Sequence, residues 1–231
     1  MDGFLQEAKA RAERFGVKNI VVATLQGNTV REVRNVFGPS YTCFAVGNPP
    51  TAHERGLVYH DGTTPETKRE LERLGVRLIL MDQGPFQAIN IGGQAYDIGG
   101  QVPETIWRGA HKTFADWSFL GHLDQVVNKG LRGEANALWL ISQTIGSLLG
   151  DGPSVCIEVT LMAADSGVLP LDSDCMAISR PRPASHAPDA ALILHPQRTF
   201  RLLSGLRIKD MLLCPRQDDH WFCDKPLWPE G

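Results

Sequence analysis

No apolar run in this chain reaches the roughly 18 residues that a membrane-spanning helix needs. Nor is there a Gly-x-Ser-x-Gly turn, a Walker sequence or a Gly-x-Gly-x-x-Gly fingerprint. Their absence removes the usual signatures of α/β-hydrolases, P-loop enzymes and dinucleotide-binding domains. Charge of either sign is scarce in net terms: the formal balance is −3, so no broad positive field argues for nucleic acid or an anionic membrane surface. The five cysteines are odd in number and scattered, which is not the pattern of a disulfide framework. Reduced thiols and a cytoplasmic location are the expectation. The opening stretch, MDGFLQEAKARAERFG, mixes acids and bases along an amphipathic helix and lacks the apolar centre of a signal peptide.

What is present is an ordinary globular composition, 42% hydrophobic and 21% charged over 231 residues. That length can bury a sizeable core in one domain. The first third alternates helix and strand. Phe4, Leu5, Ala8, Ala12 and Phe15 recur at helical spacing, and Gly16 closes that helix. Residues 19–23 form a continuous apolar strand, the pattern of a sheet covered on both faces. A helix is predicted over 28–37 and a strand over 41–46. Thr64, Pro65 and Glu66 supply a cap, a proline at the first helical position and an acid in the first turn. That helix runs to Leu74 and stops at Gly75, and 76–81 is the next strand. The spacing predicts a mainly parallel, right-handed β/α arrangement with 20–23, 43–46, 77–80, 176–178 and 191–194 in one sheet.

The order breaks after Met81. Residues 82–101 contain IGGQAYDIGG, with the pairs Gly92-Gly93 and Gly99-Gly100. A glycine-rich loop this long in a compact domain is usually functional or disordered. Residues 134–149 read as a helix with Leu138, Ile141, Ile145, Leu148 and Leu149 on one side. Residues 155–178, VCIEVTLMAADSGVLPLDSDCMAI, read as an apolar helix, a stop at Gly167, a turn at Pro170 and a buried strand. Helix is predicted over 156–166 despite its β-branched start, because eleven residues is long for a strand.

Three segments carry a resemblance: 155–178, VVATLQGNTVREV at 21–33, and LRIKDMLLCPR at 206–216. Together they resemble the stand-alone relatives of the pyruvate kinase C-terminal domain. The resemblance implies a three-layer α/β fold over 1–216, with an insertion at about 108–135 and a polar tail over 217–231. It implies a phosphate held on the turn after the first strand. It also implies flavin mononucleotide (FMN) as a cofactor, since members of that family are known with it bound. The kinase barrel itself has no counterpart here, so pyruvate kinase activity is not expected of this chain alone.

The residues favour the same place. In open α/β sheets, ligands bind outside the carboxyl ends of strands. Thr24, Gln26, Gly27, Asn28 and Thr29 form a strand-glycine-helix turn whose free N–H groups and dipole suit an anion. A flavin ring would then lie over Gly92, Gly93, Gly99 and Gly100, with Tyr96 available to stack. After the strand at 175–178 the family carries a Gly-Gly pair. This chain carries Ser179-Arg180, where Arg180 or Arg182 offers a bidentate phosphate contact.

Other constellations are weaker. Glu158 and Asp165 share a helix face; they suit a general base pair, a hydroxyl-binding pair, or a structural bond to a loop. His53 and His60, near Glu54 and Asp61, match no standard metal spacing. Cys214, His220 and Cys223, with Asp218, Asp219 or Asp224, lack a paired Cys-x-x-Cys, so no metal is expected. Two functions follow: an FMN-binding protein, redox or otherwise, whose reaction the sequence does not name, and a non-catalytic module for a small phosphorylated metabolite. Self-assembly of the chain stays open in both.

Overall fold

The computed structural model describes residues 2–50, 62–81, 141, 144–146, 148–180 and 190–213. Within them α1 (Asp2–Arg14), β1 (Asn19–Ala23), α2 (Asn28–Phe37), β2 (Thr42–Gly47), α3 (Pro65–Arg73) and β3 (Arg77–Leu80) alternate. After these come α4 (Asp151–Asp165), β4 (Cys175–Ser179), β5 (Ala190–His195), a 3-10 turn (Thr199–Arg201), the single-turn α5 (Leu202–Gly205) and β6 (Arg207–Leu213). The expected insertion at 108–135 and the tail over 217–231 lie outside the described residues.

Local chemistry sets the element ends. Gly16, Gly75 and Gly167 all have φ near +70°, the left-handed conformation that ends a helix cheaply only in glycine. Thr64 accepts a hydrogen bond from the Thr67 N–H at 3.2 Å and Pro65 follows it, which opens α3 as the sequence predicts. Residues 156–166 are helical except for the capping Ser166.

All six strands form one sheet in the order β3-β2-β1-β4-β5-β6. The pairs β1–β2, β1–β4 and β2–β3 are parallel. The pairs β4–β5 and β5–β6 are antiparallel. The five predicted strand segments therefore share a sheet, but the sheet is mixed. The reason is chain length. A parallel crossover needs about a dozen residues or more, and only residues 180–189 separate β4 from β5.

Strand alternation splits the core into two layers. Ile20, Val22, Cys43, Ala45, Met176, Ile178 and Ile193 pack with Leu5, Ala8 and Ala12 of α1, Val30 and Val33 of α2, and Leu71 of α3. On the other face Val21, Phe44, Val46, Ala177 and Leu192 pack against α4 through Cys156, Val159, Leu161 and Ala163. Helices thus cover both faces of the sheet. Ile141 and Ile145 lean on the α4 layer, but Leu148 is 76% exposed. The described residues of 134–149 are helical as predicted, but the apolar stripe is not buried at Leu148.

The antiparallel extension has a polar lock at its far edge. Asp174 accepts from Lys209 Nζ at 2.5 Å, and His195 Nδ1 lies 3.1 Å from its other oxygen. Burial alone would raise the Asp174 carboxyl, but the contacts with Lys209 and His195 outweigh it and hold the group below its ordinary value of 3.8.

Two expectations follow from the packing. Met162 is 4% exposed, so Met162→Asp should cost about 3 kcal/mol or more in denaturant unfolding, through a buried unpaired charge. For Asp174, a lowered folded pKa means its contribution is present above the unfolded value and is lost as pH falls through the folded one. Asp174→Asn should therefore flatten the acid limb of a stability-versus-pH curve. At neutral pH its cost should stay below about 1 kcal/mol, because the pair is partly exposed.

Candidate functional site

The parallel strands end at one edge, and the helices that follow or precede them present their N-termini there. Order within the sheet reverses at β1: β2 lies on one side of it and β4 on the other. A crevice at such a switch point is where α/β sheets bind ligands. Val22 pairs with Ile178, so the turn after β1 and Ser179-Arg180 at the end of β4 are neighbours. Two of the three loops singled out in the sequence therefore meet. The third, with Gly92, Gly93, Gly99, Gly100 and Tyr96, lies outside the described residues, as does Arg182.

The turn after β1 is built from its own side chains. The Thr24 N–H donates to the Val46 carbonyl at 2.8 Å, which continues the ladder one residue past β1. Thr24 Oγ1 then accepts from the Gly27 N–H at 3.0 Å. Gly27 adopts φ +83° and opens α2, with no side-chain cap. The Arg31 N–H is the first of the helix to bond back, to the Gly27 carbonyl at 3.0 Å. The N–H groups of Asn28, Thr29 and Val30 are the helix's orphan donors. Thr29 is buried, whereas Gln26 and Asn28 are exposed.

Gly27 has a steric role as well. A Cβ at this position would meet Thr67 Cγ2 at 3.1 Å and Leu71 Cδ2 at 3.4 Å. Its lack of a side chain therefore serves the packing of the turn against α3.

Arg31 braces the turn from α2. Its Nη1 donates to the Gln26 carbonyl at 3.2 Å and to Asn28 Oδ1 at 2.7 Å. Its Nε and Nη2 grip both Glu70 oxygens at 2.6 Å. The Arg31 hydrogen bonds hold the Glu70 carboxyl below the usual carboxylate range, so the pair stays charged at neutral pH.

Ser179 and Arg180 differ in what they do. Ser179 is fully buried, and its hydroxyl donates to the Gly152 carbonyl at 2.9 Å. That bond ties the end of β4 to the first turn of α4. Arg180 reaches back to α2 and pairs with Glu32 at 2.6 Å.

Residues without a sequence signal complete the edge. Gly47 ends β2, and a Cβ there would lie 2.3 Å from the Thr24 carbonyl and 3.0 Å from Thr63 Oγ1. Thr63 is 2% exposed, and its hydroxyl has no hydrogen-bond partner among the described residues. A glycine at a strand end was the only hint available.

Of the remaining candidates, Asp165 resolves as structure. Asp165 is buried and accepts from the Thr199 N–H at 3.0 Å and its hydroxyl at 2.5 Å. Burial pushes its carboxyl up, and the Thr199 bonds only partly offset that. It anchors the loop after β5. Glu158 is buried too. Burial pushes the Cys43 and Cys175 thiols up to about 12, so neither supplies a thiolate near neutral pH. The histidines at 53 and 60 and the group at 214–224 lie outside the described residues. Among the described residues no three His, Cys, Asp or Glu side chains are grouped to hold a metal, and no helix is long and apolar enough to cross a membrane.

No known family model matches this chain, and no curated protein matches it either. Among the described residues the fold is α/β, with a mixed sheet of six strands.

One steric expectation belongs to this edge. Gly47→Ala forces a methyl onto the Thr24 backbone, so it should cost about 1–3 kcal/mol in thermal or chemical unfolding. A variant as stable as the parent would show that the β1 and β2 ends separate easily.

Proposed function

We propose that this chain binds a small phosphorylated ligand at the carboxyl edge of β1 and β4. FMN, which the family resemblance implies, is the first candidate. The observation that carries this is the turn at Thr24–Thr29. Its shape is held by Thr24 and Arg31, and the first N–H groups of α2 stay free beside a topological switch point. A helix start of this kind offers convergent donors and a favourable dipole to an anion. The described residues lend no support to a particular reaction: the described thiols are buried and Asp165 is engaged with Thr199. That favours binding without catalysis as the second reading, a module for a phosphorylated metabolite other than a flavin.

A visible spectrum of the freshly purified chain tests the flavin directly. Titration with FMN, riboflavin and inorganic phosphate tests the anion site: FMN should bind more tightly than riboflavin. Thr29→Ala removes one hydrogen bond to a charged group, so FMN affinity should fall roughly 10- to 150-fold with little change for riboflavin. Equal affinity for the two flavins would remove the phosphate role.

A further inference from the structure

We propose that Arg180 is the cation that holds the ligand's anionic group, and that Glu32 competes with that group for the same guanidinium. This rests on the phosphorylated-ligand reading above and adds the residue that would select for charge.

Four observations carry it. First, the Arg180 side chain is only 11% exposed, so its charge sits in a poorly solvated place. Second, its donors are not all used. Nη2 donates to Glu32 Oε2 at 2.6 Å, while Nε is buried and has no partner among the described residues. Buried donors are rarely left unpaired, because each forfeits its water without a replacement. Third, its position suits the site. Glu32 follows Thr29 by three residues on α2, so the two share a helix face. The guanidinium that reaches Glu32 therefore lies about one turn from the free N–H groups. Fourth, the backbone that aims it is fixed, because the preceding Ser179 is bonded to Gly152.

Among the described residues, the other cation braced against this turn is committed. Arg31 spends its Nε and Nη2 on Glu70 and its Nη1 on Gln26 and Asn28. Arg180 has a spare donor in the planar fork that phosphate accepts bidentately. A phosphate monoester carries nearly two negative charges and several acceptor oxygens, so it competes well with one carboxylate. Glu32 is 45% exposed, so its carboxylate can turn to water when displaced.

The full chain and its Arg180→Gln, Arg180→Lys and Glu32→Gln variants would be titrated with FMN, riboflavin and inorganic phosphate, with melting temperatures alongside. Arg180→Gln should weaken FMN roughly 10- to 150-fold and leave riboflavin unchanged. A merely structural arginine would weaken both flavins together. Arg180→Lys should fall between the parent and Arg180→Gln, and Glu32→Gln should tighten FMN by up to about five-fold. If the parent prefers FMN over riboflavin but Arg180→Gln keeps that preference, Arg180 is not the contact and the phosphate site stands without it. If Arg180→Gln does not fold, unchanged FMN affinity in both Arg180→Lys and Glu32→Gln overturns the proposal. A parent chain that binds neither flavin nor phosphate, or that does not distinguish the flavins, removes the phosphate site and this inference together.

Discussion

β1 is paired along both edges, with β2 and with β4, and Ile20, Val21 and Val22 are 0% exposed. A strand so placed must be apolar on both faces. Its neighbours must bring helices to both sides, since otherwise one face would meet water. α1, α2 and α3 cover one face and α4 the other. With β1 fixed, the ends of β1, β2 and β4 align at one edge, and the start of α2 is carried there with them.

That edge is polar, and its charges are largely answered from within. Arg31 meets Glu70 from the neighbouring helix, and Arg180 meets Glu32 across the sheet end. Both pairs are partly exposed, and such pairs contribute little to stability on their own. Their effect is positional. The Arg31 fork fixes the Gln26 carbonyl and the Asn28 side chain, which keeps the turn in one shape. Buried hydroxyls add to this: Thr24 holds the turn, Ser179 holds α4, and Thr63 is left without a partner among the described residues. An edge held in one shape in this way spends no free energy on its own ordering when something docks against it.

Much of the frame was legible in the chain. The predicted helix over 28–37 coincides with α2, and the Thr64-Pro65 start and the glycine stops fall where capping chemistry puts them. These features depend on residues within a few positions of each other, so local sequence carries them. Strand membership was legible as well, since a run buried on both faces has to be apolar. Strand direction was not. β5 is as apolar as a parallel strand would be, and only the short connection from β4 reverses it. Amphipathic patterns also misplaced single residues: Phe15 and Leu148 fit a helical stripe but are 40% and 76% exposed.

The site divides along the same line. The sequence by itself determined that Thr24–Thr29 is a strand-to-helix turn, because a glycine after an apolar strand and before a helical period has few other conformations. Only the tertiary structure decided what surrounds it. Ser179 and Arg180 are adjacent in sequence, yet one bonds α4 and the other α2, on opposite faces of the sheet. Gly47 matters because β2 happens to end against the Thr24 carbonyl. Such roles depend on contacts between residues that are up to about 150 positions apart in the chain. Local propensity contains no term for them; they arise when burial of β1 brings the strand ends together.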